Sequence, residues 1–227
     1  MRVVEITERQ KRILDCIVSE YVESAYPISS QVLEKKYHLG VSGATLRNEM
    51  LALSRLGFLE KPFASSGRVP TDKGYRFFVD EVLEKPQKHL RNKAEPVESS
   101  WHLAKKLASL SSSLVAVYLQ GQETIFKEGW EDLLEEPEFE EQGSIKSFAK
   151  LIDDFEKNIA DFDFEEGIQV FIGKEVFFSR VKDFSIMIAE CRFSENEKGI
   201  VAFLGPKRME YPKNINLLHE WTRLLKS

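Results

Sequence analysis

Only two cysteines, Cys16 and Cys191, occur among 227 residues. They lie far apart and form no pattern, which excludes a disulfide-stapled secreted scaffold and predicts two buried free thiols in a reducing compartment. Histidine is scarce too. His38, His89, His102 and His219 are dispersed, without carboxylate or cysteine companions at metal-ligand spacing, so no zinc site is expected. No apolar run approaches the roughly 18–20 residues a membrane span needs. The start "MRVVEITERQKRI" lacks the basic, apolar, small-residue order of a signal peptide, so a cytoplasmic chain is expected. Internal repeats, a G-x-S-x-G elbow and a P-loop are also missing. The carboxylates of "EDLLEEPEFEE" could imitate an acid/base pair, but a solvated acidic face is the simpler account. Lys207 and Arg208 in "GPKRM" could hold an anion, though an ordinary strand-to-helix turn is favoured. Neither an enzyme nor a cofactor is expected.

What is present is an asymmetry of charge. Residues 1–93 hold 16 Lys/Arg against 12 Asp/Glu, a net of +4, and the remainder holds 16 against 25, a net of −9. Only the first part is therefore suited to meet a polyanion.

The leading segment reads as helices. Thr7 with Gln10 resembles a capping box, and Ile13, Leu14, Ile17, Val18, Tyr21 and Val22 recur on one helical face. Pro27 forces Tyr26 out of the helical region. Ser29 or Ser30 can cap a short second helix ending near Gly40. A third helix starts at the Ser42 cap and stops at Gly57, giving a helix-turn-helix pattern. Phe58 and Leu59 read as a short strand, 63–70 as a loop returning through Val69, and Thr71 and Asp72 as the cap of a fourth helix. The polar stretch with two prolines over 86–98 reads as a linker. Beyond it come a helix around "SSWHLAKKLASL", a strand "LVAVYLQ", a second strand "ETIFKEG" and a short acidic helix carrying Trp130, Leu133 and Leu134. A longer helix runs from Ser144 to about Ala160. Three strands follow, the last two joined by "SENEK". A final helix opens at Pro212, with Ile215, Leu217, Leu218, Trp221 and Leu225 apolar. The layout is α+β, with helices on a mostly antiparallel sheet.

The third helix, "VSGATLRNEMLALSRLGFLE", begins with small residues and only then becomes apolar and charged. Leu46, Met50 and Leu53 share one face and bind it to a core. Opposite lie Ala44, Asn48 and Arg55, flanked by Thr45 and Arg47. A bare tip of Ser42, Gly43, Ala44 and Thr45 can enter a DNA major groove about 12 Å wide. The free amides and positive end of such a helix suit phosphate. Arg47 can bond guanine through two parallel hydrogen bonds, and Asn48 adenine. The same residues also fit a plain turn and cap with Arg47 and Asn48 solvated. The loop "SSGRVP" adds Ser65, Ser66, a flexible Gly67 and Arg68 at a tip that could lie on the backbone or enter the minor groove. An ordinary solvated hairpin would look the same in isolation. Both features in register, within the basic part, favour DNA.

The run "LRNEMLALSRLGFLEKPFASSGRVPTDKGYRFFVD" closely resembles the amino-terminal domain of HrcA-type heat-inducible transcription repressors of bacteria. "GWEDLLEEPEF", "GIQVFIGKE" and "GIVAFLGPKRMEYPKNINLLHEW" are similar, in order, to the family's GAF-like domain. The resemblance implies a winged helix-turn-helix domain over 1–85, a linker over 86–98 and a GAF-like domain over 99–227. It further implies repression of chaperone genes through an inverted-repeat operator, release on heating, a homodimer, and a chaperonin that helps maintain the active repressor. Carried over by position, Ser42, Thr45, Arg47 and Asn48 read DNA from the recognition helix, and Ser65, Ser66 and Arg68 from the wing. Typical members insert a long dimerising segment before "LLEEPEF"; here "LVAVYLQGQETIFKEGWEDLLEEPEF" runs almost directly through. Dimerisation is accordingly expected on the GAF-like domain, at the helix bearing Leu218, Trp221 and Leu225. The rival reading is a regulator controlled by a small molecule held in that domain.

Overall fold

Thr7 and Gln10 close the reciprocal cap that their spacing predicts: the Gln10 amide donates to Thr7 Oγ1 at 3.2 Å, and the Thr7 amide donates to Gln10 Oε1 at 3.0 Å. They open α1 (Glu8–Ser24) in the computed structural model, which describes residues 6–85, 99–162, 167–194 and 197–224. The linker expected over 86–98, two residues of the "SENEK" turn and Leu225 lie outside the described residues. The chain divides into two compact units, residues 1–82 and 83–227.

In the smaller unit α1 is followed by α2 (Ser30–Lys36) and α3 (Gly43–Arg55). The strands β1 (Leu59–Glu60) and β2 (Val69–Pro70) pair antiparallel, and α4 (Asp72–Glu84) closes the unit. Ser29 caps α2 by accepting from the Val32 amide. This helix stops at Lys36, earlier than the expected end near Gly40. Its cap residue Tyr37 turns extended and its hydroxyl donates to Glu20. Gly40, with φ at +70°, serves the turn into α3 instead. Glu20 is itself buried on α1 and accepts from Lys36 Nζ at 2.8 and 2.9 Å. A buried carboxylate with both oxygens satisfied pins α2 to α1. Ile13, Leu14, Ile17 and Val18 of α1 are fully buried with Leu33, Leu53 and Val79. Cys16 is only half-buried, contrary to expectation, and Cys191 is buried; the two are not joined by a disulfide. Burial, aided by Asp15, raises the Cys16 thiol above its ordinary pKa, which keeps it protonated and unreactive at neutral pH.

The larger unit is built on a five-stranded sheet of order β4-β3-β7-β6-β5, with antiparallel pairing throughout. Its strands are β3 (Leu114–Leu119), β4 (Thr124–Glu128), β5 (Ile168–Ile172), β6 (Phe184–Ser194) and β7 (Glu197–Pro206). Its helices are α5 (Ser100–Ser111), α6 (Trp130–Leu134), α7 (Ser144–Asn158) and α8 (Tyr211–Leu224). Every residue of β3 is buried, because both faces of this interior strand are covered, and that explains the unbroken apolar run "LVAVYL". One face packs Leu114, Ala116, Ile186, Ile188, Ala202 and Leu204 against Phe148, Leu151, Ile152 and Phe155 of α7. Phe139, Phe148 and Phe184 cluster there with ring centroids 4.9 to 5.8 Å apart. Helices α5 and α8 pack against the sheet and each other.

Two features of this unit bear on assembly. Where the resemblance puts an inserted segment, the chain makes a tight turn over 120–123 and then proceeds from β4 directly into α6. The apolar face of α8 is not a free surface. Leu218 is fully buried, and Leu217 and Trp221 are nearly so, within the unit's own core. The expectation that this helix forms the dimer contact is therefore corrected: amphipathic spacing shows that a face is buried, but not by what.

Candidate nucleic-acid interface

Helix α3 has two opposed faces. Leu46, Met50 and Leu53 are buried, and Glu49 ties the helix to the start of α1 by accepting from Gln10 Nε2 at 3.0 Å and pairing with Arg9 at 3.3 Å. On the other side Ala44, Arg47, Asn48, Leu51 and Arg55 are all exposed. Their spacing of three or four residues makes one stripe along the helix. Of the expected residues, Ala44, Arg47, Asn48 and Arg55 thus share this face. Leu51, at its centre, is an exposed leucine that the core pattern leaves out.

The tip of α3 is more occupied than its sequence suggests. Ser42 accepts from the Thr45 amide at 3.3 Å, and its hydroxyl lies 3.1 Å from that of Thr45. The Gly43 amide donates to Glu34 Oε1 of α2 at 3.0 Å. A Cβ at Gly43 would fall 2.6 Å from Glu34 Oε2, so glycine here admits a carboxylate from the neighbouring helix. The expectation of a free, phosphate-ready helix end is corrected: Glu34 already supplies the negative charge that the helix dipole favours.

The hairpin also differs from its expected form. Arg68 is not at its tip. Its backbone bonds Ile28 in both directions at 2.8 Å, and its Nε donates to Ser54 Oγ of α3 at 2.9 Å. Arg68 thus joins the base of the hairpin to α3 and to the turn before α2. Gly67 is not a flexible joint either. Its φ is not in the left-handed region, but a Cβ there would lie 2.4 Å from the Ile28 carbonyl carbon and oxygen. Close backbone approach, not flexibility, requires this glycine. Ser66 is half-buried, and its hydroxyl closes the tip by donating to the Phe63 carbonyl at 2.8 Å. Ser65 remains exposed, together with Lys61 and Phe63. Lys61 Nζ donates to the Ala64 carbonyl.

Gly67→Ala is expected to push the hairpin off Ile28, at a cost of about 1–3 kcal/mol for overpacking. Hydrogen exchange would read it directly, since the Ile28 and Arg68 amides should lose protection while those of α1 keep it. Unchanged protection would mean that the contact yields freely.

Sequence reasoning missed Leu51 and Glu34. Leu51 was recoverable, since it stands four residues from Arg47 and three from Asn48 and belongs to no core stripe. Glu34 was not, because nothing in sequence links it to Gly43.

A small helical unit exposing a basic helix stripe, joined to a separate α+β unit with an antiparallel sheet, has the parts of a transcription regulator. The comparisons with known proteins narrow that class. The family model described as the HrcA protein C-terminal domain matches residues 76–215. The chain belongs to the HrcA family of heat-inducible transcription repressors. A heat-inducible transcription repressor HrcA from Caldanaerobacter subterraneus subsp. tengcongensis is 51% identical over 79 residues, covering 35% of this chain and 23% of that relative. Another, from a Thermoanaerobacter species, is 24% identical and covers 97% of this chain and 96% of the relative. That match runs over 331 positions against a chain of 227 residues, so the relative carries residues that this chain lacks. A crystal structure of a hypothetical protein shares the fold, with a TM-score of 0.81 and 21% identity over 97% of this chain and 98% of that one. Among the described residues, no helix is long and apolar enough to cross a membrane.

Proposed function

We propose that this repressor binds an inverted-repeat DNA operator of chaperone genes as a cytoplasmic homodimer and leaves it on heating. Residues 1–85 act as a winged helix-turn-helix domain and residues 99–227 as a GAF-like domain, with 86–98 between them. The observation that carries this reading is the exposed stripe Ala44, Arg47, Asn48, Leu51 and Arg55 opposite a fully anchored face. A helix held that firmly can present donors to base edges in fixed register. Arg47 suits guanine and Asn48 adenine, each through two hydrogen bonds. Arg55, two turns on, suits the phosphates. Ser42, Gly43 and Thr45 keep the leading turn slim. In the wing, Ser65 faces solvent, while Ser66, Gly67 and Arg68 set the position of the tip relative to α3. A chaperonin that maintains the active state remains part of the proposal on family grounds.

Selecting bound sequences from random duplex DNA would test this, because site, symmetry and spacing emerge together. On the selected site, Arg47→Ala or Asn48→Ala should each cost roughly 1–3 kcal/mol, with far smaller losses on unrelated DNA. Equal losses on both would restrict these residues to backbone contacts. Random recovery of sequences would refute operator recognition altogether.

One observation favours the rival reading of a ligand-controlled regulator. A cavity of about 360 Å³ opens beside the end of α7, lined by Tyr118, Gln120, Phe162, Glu190, Lys198 and Ile200. Its size is near the lower bound for small-molecule sites. Native mass spectrometry of the chain purified from cells would decide it. A bound molecule lost in Glu190→Ala would favour ligand control, and a mass equal to that of the chain alone would not.

A further inference from the structure

Leu51 stands in the middle of an otherwise polar, cationic stripe. It is 40% exposed, and the face that anchors α3 is made by Leu46, Met50 and Leu53 without it. Along the helix it lies about 6 Å beyond Arg47 and about 6 Å before Arg55, each offset from it by about 40° around the axis. A single exposed leucine on an arbitrary surface would need no explanation. This one sits between three side chains that all donate hydrogen bonds, on the face proposed to enter the groove.

The chemistry of that groove limits what a leucine can do there. Adenine, guanine and cytosine present nitrogen and oxygen donors or acceptors, and thymine alone adds an apolar group, its 5-methyl. Pressing Leu51 onto a polar edge would strip water from it without supplying a hydrogen bond, which is unfavourable. Pressing it onto a methyl group removes apolar surface from water on both sides. Leucine therefore both favours thymine and disfavours the other bases at one position.

We infer that Leu51 reads the 5-methyl group of a thymine in each half-site, next to the bases met by Arg47 and Asn48. The inference rests on the DNA-reading role proposed above and adds a specificity-determining residue to it. The test uses the full chain and its selected operator, with each thymine replaced singly by uracil, which deletes only the methyl group. At one thymine per half-site, uracil should weaken wild-type binding about fourfold, the worth of one buried methyl. Leu51→Ala should bind the thymine operator more weakly and show little preference between thymine and uracil at that position. Leu51→Lys, a second variant that keeps the helix and adds a cation, should bind unrelated DNA at least as well as wild type but lose affinity for the operator.

Uracil scans that are the same for wild type and Leu51→Ala would overturn the inference while leaving operator recognition intact. A selected half-site without thymine would do the same. Failure of the wild-type chain to select any sequence would overturn both this inference and the function on which it rests.

Discussion

Arg208→Met is expected to destabilise the larger unit by about 2–4 kcal/mol, although it touches nothing proposed to meet DNA. The Arg208 side chain is 9% exposed. Its Nε and one terminal nitrogen donate to the two oxygens of Glu138 at 2.6 and 3.0 Å, and that nitrogen also donates to Glu136. Burial works against the guanidinium's charge, but its hydrogen bonds to Glu138 and the fields of Glu138 and Glu136 outweigh that and raise its pKa. Removing the cation leaves two carboxylates facing each other across a partly dry gap. Because Glu136 and Glu138 keep 25% and 30% exposure, water reaches them, and the cost should fall short of the roughly 3–5 kcal/mol of a fully buried pair. Glu138→Leu alone should also be costly, since it leaves a buried cation with Glu136 as its remaining carboxylate among these three. Replacing all three by apolar residues of similar volume should recover much of the loss. Urea unfolding of the full chain measures each variant. A single Arg208→Met with unchanged midpoint would reduce the triad to a surface ornament.

That triad marks where legibility ended. The caps at Thr7, Ser29 and Ser42 could be read because each is a local arrangement of a few residues, and each hydroxyl accepts from the amide three residues on. The anchoring face of α3 and the apolar strand β3 were equally local, the first set by a period of 3.6 and the second by an unbroken apolar run covered on both faces. Glu136 and Glu138, by contrast, meet Arg208 across about 70 residues of chain. "LEEPEF" looked like a solvated acidic face and "GPKRM" like a plain turn until they were brought together. The same limit explains Gly67, Glu34 and Arg68. Each is fixed by a neighbour distant in sequence, namely Ile28, Gly43 and Ser54 respectively. Helix α8 is the complementary case. Its apolar face was legible, but the same spacing serves a monomer's core and a dimer's interface equally well.

The largest loss of function is expected when the smaller unit binds alone. Residues 1–85 should hold the inverted-repeat operator roughly 10²–10⁴-fold more weakly than the full chain, because linking two modules makes the second contact intramolecular. An inverted repeat needs two recognition helices related by a twofold axis, with half-sites in fixed helical register. The smaller unit carries its own core around Ile13, Leu14, Ile17 and Leu53, so the fragment should fold and keep its weak affinity for single half-sites. On the proposed reading, pairing would then fall to the remainder of the chain. The face of α8 is already used within its own unit, and no segment is inserted between β3 and α6 other than the short strand β4. The apolar side chains still exposed there include Trp130, Leu134 and Ile145 around α6 and the start of α7, and Phe177 beyond β5. A dimer whose folding and association are coupled loses both together on heating, and the operator would be released with them. Mass in solution and operator affinity, followed together as temperature rises, provide the test. A monomeric full-length chain, or a fragment that binds as tightly as the whole, would remove the mechanism. Release well below the temperature of dissociation would transfer control from the protein's own stability to a ligand or partner.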